Sequence, residues 1–184
     1  MTEPAPRRIR TGGFFRPQRR IETDGRIVTA DQILIATGGR PHTHPALPGN
    51  EFCIYSDGVF DLPELPKSIA IAGGGYIAVE FANVFHGLGV ETHLVYRGKE
   101  ILGRFDMDLR RHLHETMVAK GVNIHCENIF EQIEKTDDGR LRAHMKEGQP
   151  LVVDQVLLAI GRTPNTENLG LEALGVKTDR GCIV

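Results

Sequence analysis

With 184 residues, 40% of them hydrophobic and 25% charged, the chain has the composition of an ordinary globular protein and enough length to bury a core without disulfide staples. A formal net charge of −2 gives no electrostatic case for a nucleic-acid partner, and no run approaches the ~18 apolar residues of a membrane span. Cys53, Cys126 and Cys182 are an odd set without Cys-x2-Cys or Cys-x4-Cys spacing, so they read as the reduced thiols of a cytosolic, cytoplasmic protein.

Arg7, Arg8, Arg10, Arg16, Arg19 and Arg20 crowd the start of the chain. Pro4, Pro6, Gly12, Gly13 and Pro17 break any amphipathic helix there. Residues 1–18 therefore read as a disordered basic arm rather than a targeting segment. Two β-rich runs, 19–23 and 26–30, flank Asp24-Gly25 and predict a hairpin. Residues 32–38 form an apolar run that ends at glycine and predicts a strand. Residues 39–48 hold three prolines and read as a loosely held linker, with a second short linker at 62–66.

The middle of the chain alternates strand and helix. Residues 68–72 are a buried strand, and Ile77, Ala78, Phe81, Ala82, Phe85 and Leu88 recur at helical spacing up to Gly89. Residues 91–97 form the next strand. Asp106 is placed to cap a helix carrying Leu109, Leu113, Met117 and Val118, which ends at Gly121, and 122–126 follow as a third strand. Then come three short runs, 129–135, 141–146 and 151–153, which read as an antiparallel meander, and a last apolar strand at 154–161. The fold class is α/β: a Rossmann-type dinucleotide-binding domain with a parallel sheet, helices and an antiparallel β-meander. One internal echo stands out. Ala36-x-Gly38-x-x-Pro41 and Ala159-x-Gly161-x-x-Pro164 both follow apolar runs, either as two similar strand exits or as paired crossover points between domains.

The chemistry concentrates at Gly73-Gly74-Gly75-Tyr76-Ile77-Ala78, between a strand and a helix. Gly73 permits the tight turn, Gly75 lets the backbone approach a pyrophosphate, and Ala78 is small enough for helix and strand to pack closely. The pyrophosphate then sits on free N–H groups at a helix N-terminus. An NAD-binding site carries a carboxylate about 20 residues on, for the ribose 2′-hydroxyl. This chain has Tyr96-Arg97 there, with Lys99 and Arg104 beyond. A guanidinium suits a 2′-phosphate, so the expected cofactor is NADPH. The eight histidines are not spaced as a metal site.

Three segments in order resemble the pyridine nucleotide-disulfide oxidoreductases, and among them the glutathione reductases. These are Ala36-Thr37-Gly38-Gly39-Arg40-Pro41, the stretch 71–82, and Ala159-Ile160-Gly161-Arg162-Thr163-Pro164. The resemblance implies an oxidoreductase that passes hydride from NADPH to FAD and then electrons to glutathione disulfide. It implies Tyr76 as an aromatic gate over the flavin, Glu80 near the nicotinamide amide, Arg97 and Arg104 on the 2′-phosphate, Gly161 and Arg162 at the nicotinamide end, and Thr37 and Gly38 on the flavin side. The plainer readings are a surface aromatic for Tyr76 and a solvated charge for Glu80. The Gly103-Arg104 order is shifted by one residue from the family's usual pattern, which leaves Arg104 less secure.

The implied domains are a partial FAD-domain hairpin and crossover strand at 19–44, an NADPH-binding domain at 45–165, and the start of a return to the FAD domain at 166–184. The family's FAD glycine fingerprint, redox Cys-x4-Cys, later Gly-Asp flavin motif and C-terminal interface domain, through which such enzymes form homodimers, are not found in these residues. The expectation is a fragment or truncated reading frame that binds NADPH but does not by itself turn over glutathione disulfide, with a loosely ordered 178–184 tail. The alternatives are a related flavin disulfide oxidoreductase with another acceptor, and a non-catalytic nucleotide-binding module.

Overall fold

Strand formation follows the alternation of apolar runs and turn residues along the chain. The computed structural model describes residues 14–17, 19–23 and 25–184. In chain order the strands are β1 (Phe14–Arg16), β2 (Arg20–Thr23), β3 (Arg26–Thr29) and β4 (Gly39–Pro41), then β5 (Ser68–Ala72), helix α1 (Tyr76–Gly87), β6 (Glu91–Tyr96), helix α2 (Met107–Lys120) and β7 (Asn123–Cys126). They continue with β8 (Phe130–Lys135), β9 (Leu141–Met145), β10 (Leu151–Val153), β11 (Gln155–Leu158), β12 (Arg162–Pro164), β13 (Thr178–Asp179) and β14 (Cys182–Ile183). The fold is mixed α/β, as the alternation predicts. The chain divides into two units, Met1–Arg40 with Thr163–Val184, and Pro41–Arg162. The sequence had suggested the changeovers at 44/45 and 165/166.

The larger unit is built on a parallel sheet in the order β11-β5-β6-β7. All five residues of β5 are buried, which is what a central strand covered on both faces requires. On one face Ile69 and Ile71 pack with Ala78, Val79, Ala82 and Phe85 of α1. On the other, Ala70 and Ala72 pack with Ile133, Leu141, Ala143 and Val153 of the antiparallel meander β10-β9-β8. Ser68 and Asp154 lock the entry to this sheet: the Asp154 carboxylate accepts from the Ser68 N–H at 2.8 Å and the Ser68 hydroxyl accepts from the Asp154 N–H at 3.0 Å.

Helix α2 begins and ends where its caps place it. The Asp106 carboxylate accepts from the Asp108 N–H at 3.0 Å, and Gly121 takes the left-handed conformation, φ 105°, that closes the last turn. Its apolar stripe is narrower than expected. Met117 is buried and Leu113 partly so, whereas Leu109 and Val118 are exposed. The face beside Leu113 is taken by Arg110 and His114, which turn back on the preceding loop.

The supposed linker 39–48 is structured. Gly39–Pro41 pairs with Arg162–Pro164, Leu47 is buried against the meander, and the Pro48 carbonyl accepts from the Ile133 N–H at 2.9 Å. Proline content marked the bends here but not the packing between them. The two strands of the echo motif are therefore each other's partners, β4 with β12, where the chain passes from one unit to the other and back.

In the smaller unit, β2 and β3 form the expected hairpin, with Thr23 opposite Arg26 and Gly25 at φ 69°. The arm reading of 1–18 fails at its end. Phe14–Arg16 adds to β2 as β1, because Phe15 is buried with Leu169 and Leu171 and its N–H donates to the Leu169 carbonyl at 2.7 Å. Residues 1–13 lie outside the described residues. The apolar run 32–38 does not form a strand. Ile33 and Ile35 turn toward the Phe15 cluster, but Leu34 is 88% exposed, and no described strand runs beside the segment to complete a ladder. The 178–184 segment closes as the hairpin β13–β14, although its residues are mostly exposed.

One pair in the larger unit is sensitive to acid. His93 Nδ1 and His125 Nε2 lie 3.1 Å apart with the rings stacked, and Glu91 stands 3.3 Å from the other nitrogen of His93. Burial, then the neighbouring His93, hold the His125 pKa below its ordinary 6.5. The unfolded chain therefore takes up a proton that the folded chain resists, so stability is full above pH 6.5 and declines as pH falls below it. Thermal melts between pH 7.5 and 5.5 should show a falling Tm for the wild type and a flatter profile for His125→Gln. Parallel profiles would remove the pair from this role.

Candidate functional site

Strand β5 delivers the chain into the turn at Gly73. Its N–H donates to the Val95 carbonyl of β6 at 2.9 Å, and the Ala159 N–H just beyond β11 donates to the Ala72 carbonyl at 2.8 Å. The turn is thus held from both neighbouring strands. Gly73 has φ 135°, and a Cβ there would lie 2.4 Å from the Ala159 carbonyl oxygen and 3.1 Å from the Ala78 Cβ. Only glycine fits, and Ala78, fully buried, is the small residue that lets α1 approach. A Cβ on Gly75 would meet nothing within 4 Å. The space above Gly75 is open, so a side chain there would fill a cradle rather than collide with protein.

Helix α1 opens onto that space. Gly75 is its N-cap and offers no capping side chain, the first turn carries no acidic residue, and the first internal bond runs from the Val79 N–H to the Gly75 carbonyl at 3.1 Å. The N–H groups of residues 75–78 precede that bond, so the positive end of the helix dipole faces the cradle without a counter-charge from the first turn. Ile77, in the first turn, is half-buried. Tyr76 is 56% exposed and Glu80 is exposed, and their i, i+4 spacing puts them on one side of the helix.

The loop after β6 closes the other side. The Leu102 N–H donates to the Gly74 carbonyl at 2.6 Å, which ties the loop to the turn. Tyr96 fills the space between them. A Cβ on Gly74 would lie 2.4 Å from its ring, on Gly98 2.6 Å, and on Gly103 3.2 Å from its hydroxyl. The sequence reading gave Gly74, Gly98 and Gly103 no role, and the aromatic at the strand end was the available signal for them. Arg97 and Arg104 are each the chain neighbour of a glycine packed on this ring. Arg97, Lys99 and Arg104 are exposed, and among the described residues none of the three has a hydrogen bond or ion pair.

Gly161 and Arg162 follow β11 at the same carboxyl edge of the sheet, and the Gly161 carbonyl accepts from the His42 N–H at 3.0 Å. Such an edge is where open α/β sheets bind ligands. Thr37 and Gly38 belong to the smaller unit, where both their carbonyls accept from Asn165, at 3.1 and 2.9 Å.

A model of the pyridine nucleotide-disulphide oxidoreductases matches residues 10–184. The chain belongs to that family. Among members, the glutathione reductase of Pisum sativum, chloroplastic or mitochondrial, is 43% identical over 157 residues, which are 85% of this chain and 28% of the relative. The glutathione reductase of a Nostoc strain is also 43% identical, over 85% of this chain and 34% of its own. The chain thus spans about a third of the length of these family members. A solved family structure, the HOCl-induced flavoprotein disulfide reductase RclA of Escherichia coli, superposes with a TM-score of 0.83 at 29% identity, covering 94% of this chain and 40% of that one.

The three cysteines are free. Burial, then Glu51, pushes the Cys53 thiol up to about 12, and burial, then Glu100 and Glu127, raises Cys126, so neither is an activated thiolate at neutral pH. Among the described residues no three His, Cys, Asp or Glu side chains come together as a metal site, and no helix is long and apolar enough to cross a membrane.

The two outer glycines of the turn should fail in opposite ways. Gly73→Ala meets the Ala159 carbonyl in a left-handed conformation and should destabilise the fold by about 2 kcal/mol or more. Gly75→Val should melt close to the wild type, with a loss of roughly 1 kcal/mol at the helix cap, while losing more than about tenfold in NADPH affinity. Retained binding in a folded Gly75→Val protein would reduce the turn to a structural feature.

Proposed function

We propose that the larger unit binds NADPH, with the pyrophosphate on residues 73–78 and the 2′-phosphate on Arg97 and Arg104. The observation that carries this is the set of exposed cations without protein partners on a loop bonded directly to an open, uncapped helix N-terminus. A phosphate dianion satisfies both halves of such a site. Arg104 keeps its role in this reading because Gly103, its neighbour, packs on the Tyr96 hydroxyl and brings the loop's end back to the turn. Tyr76 and Glu80, on one side of α1, together with Gly161 and Arg162, are assigned to the nicotinamide end.

In the same reading the protein serves an NADPH-dependent, FAD-containing reduction of glutathione disulfide, since the relatives named above are glutathione reductases. NADPH would supply the hydride, and the residues of this chain bind and orient it. Thr37 and Gly38 are assigned to the flavin side in this reading, with their carbonyls accepting from Asn165, and no step is assigned to flavin here. We place the protein in the cytosol, where three free thiols persist, and assign homodimer formation to family segments beyond the matched third. A second reading, a flavin disulfide reductase with another acceptor, is favoured by the likeness to RclA. Comparing glutathione disulfide with other disulfides as acceptors separates the two.

NADPH should bind more tightly than NADH in calorimetric titrations. Arg97→Glu should cost NADPH about 1.5–3 kcal/mol, the scale of a lost charged hydrogen bond, and leave NADH nearly unchanged. Equal affinities for the two cofactors in the wild type would remove Arg97 from selection and the NADPH assignment with it.

A further inference from the structure

The loop 97–105 carries two kinds of cation. Arg97, Lys99 and Arg104 face solvent without partners among the described residues, whereas Arg110, at the start of α2, is half-buried and turned back onto the loop. Its Nε donates to the Ile101 carbonyl at 2.8 Å and its Nη2 to the Glu100 carbonyl at 2.9 Å. We propose that Arg110 is a positioning residue for cofactor selection, holding the loop in the one shape that presents Arg97 and Arg104 to a 2′-phosphate. This inference rests on the NADPH reading and deepens it.

The loop needs holding. Leu102 sits at φ 55°, in the left-handed region that leucine rarely adopts, and such a conformation persists only where its surroundings over-determine it. Four contacts do so. The Leu102 N–H is fixed on the Gly74 carbonyl, the Gly98 carbonyl accepts from the Glu127 N–H at 3.0 Å, Ile101 is fully buried, and His114 Nδ1 stands 2.8 Å from the Glu100 carboxylate. The Arg110 fork completes the set at the residues just before the strained one. Consecutive carbonyls point to opposite sides of an extended chain, so a planar guanidinium edge can take both only when the loop is curled. The bond pair is thus specific for the curled state. Lysine, a point charge with no fork, cannot reproduce it.

The pyrophosphate turn has separate supports in Val95 and Ala159, so loosening the loop removes the 2′-phosphate contacts and spares the rest of the dinucleotide site. Variants Arg110→Gln and Arg110→Lys, each also combined with Arg97→Gln, are titrated with NADPH, NADH, 2′,5′-ADP and 5′-AMP, alongside thermal melts. Both single variants should lose about tenfold or more for NADPH and 2′,5′-ADP, the scale of a lost charged hydrogen bond, and less than about twofold for NADH and 5′-AMP. In the Arg97→Gln background the Arg110 substitutions should have little further effect, because Arg110 acts through Arg97. If Arg110→Gln does not fold, Arg110→Lys, which keeps charge and bulk, decides the matter. Equal losses for all four ligands, an unchanged NADPH preference in a folded variant, or full additivity with Arg97→Gln would overturn the inference. A wild type without NADPH preference would instead bring down the reading on which it rests; a preference erased by Arg97→Gln but untouched by both Arg110 variants would bring down this inference alone.

Discussion

Gly73 is the point where three parallel strands meet one helix. Its N–H is bonded to β6, the residue before it is bonded to the chain leaving β11, and its missing Cβ leaves 2.4 Å to the Ala159 carbonyl and 3.1 Å to Ala78. The start of α1 is therefore fixed relative to the carboxyl edge of the sheet with no slack for a methyl group. Interiors at this density do not absorb such an insertion by deforming smoothly. The direction of the helix dipole, the opening above Gly75 and the place where Tyr96 can lie all follow from that one close approach.

Tyr96 carries the constraint outward. Its ring occupies the space left by three glycines, so the turn and the basic loop are packed on opposite parts of one rigid side chain. The loop's cations then reach solvent from a fixed platform rather than from a free tether. This matters for charge recognition, because an arginine whose backbone is already placed loses less freedom when it closes on a phosphate. The same logic separates Arg110 from Arg97 and Arg104: all three are guanidinium groups on one stretch of chain, but Arg110 is consumed by carbonyls and the other two are not.

Much of this was legible in the sequence because it is local. The strand–turn–helix order, Asp106 as a cap, Gly121 as a stop and the pairing of β2 with β3 each depend on residues a few positions apart, and each stands in the structure. What the sequence concealed depends on distant partners. Residues 32–38 have the period and composition of a strand, yet a strand exists only when paired with another, and none of the described strands pairs with them. Leu47, among prolines, is buried because Ile133 of the meander lies against its neighbours. The glycines around Tyr96 looked like loop punctuation, since nothing in their immediate context names an aromatic ring as the reason. Phe15 looked like part of a solvated arm until Leu169 and Leu171, over 150 residues away in sequence, supplied its burial.

The pairing of β4 with β12 has a consequence of another kind. Residues 41 and 162, the two ends of the larger unit, leave and re-enter through adjacent strands, fastened by Arg40 to Asn165 at 3.1 Å and to Glu167 at 2.8 Å. A polypeptide whose entrance and exit are neighbours closes a loop that its host must close anyway, so seating it costs the host little additional configurational entropy. The 122 residues from Pro41 to Arg162 can therefore be regarded as a cassette: a compact body whose two ends lie on paired strands, exchangeable as a block without rethreading the chain that carries it.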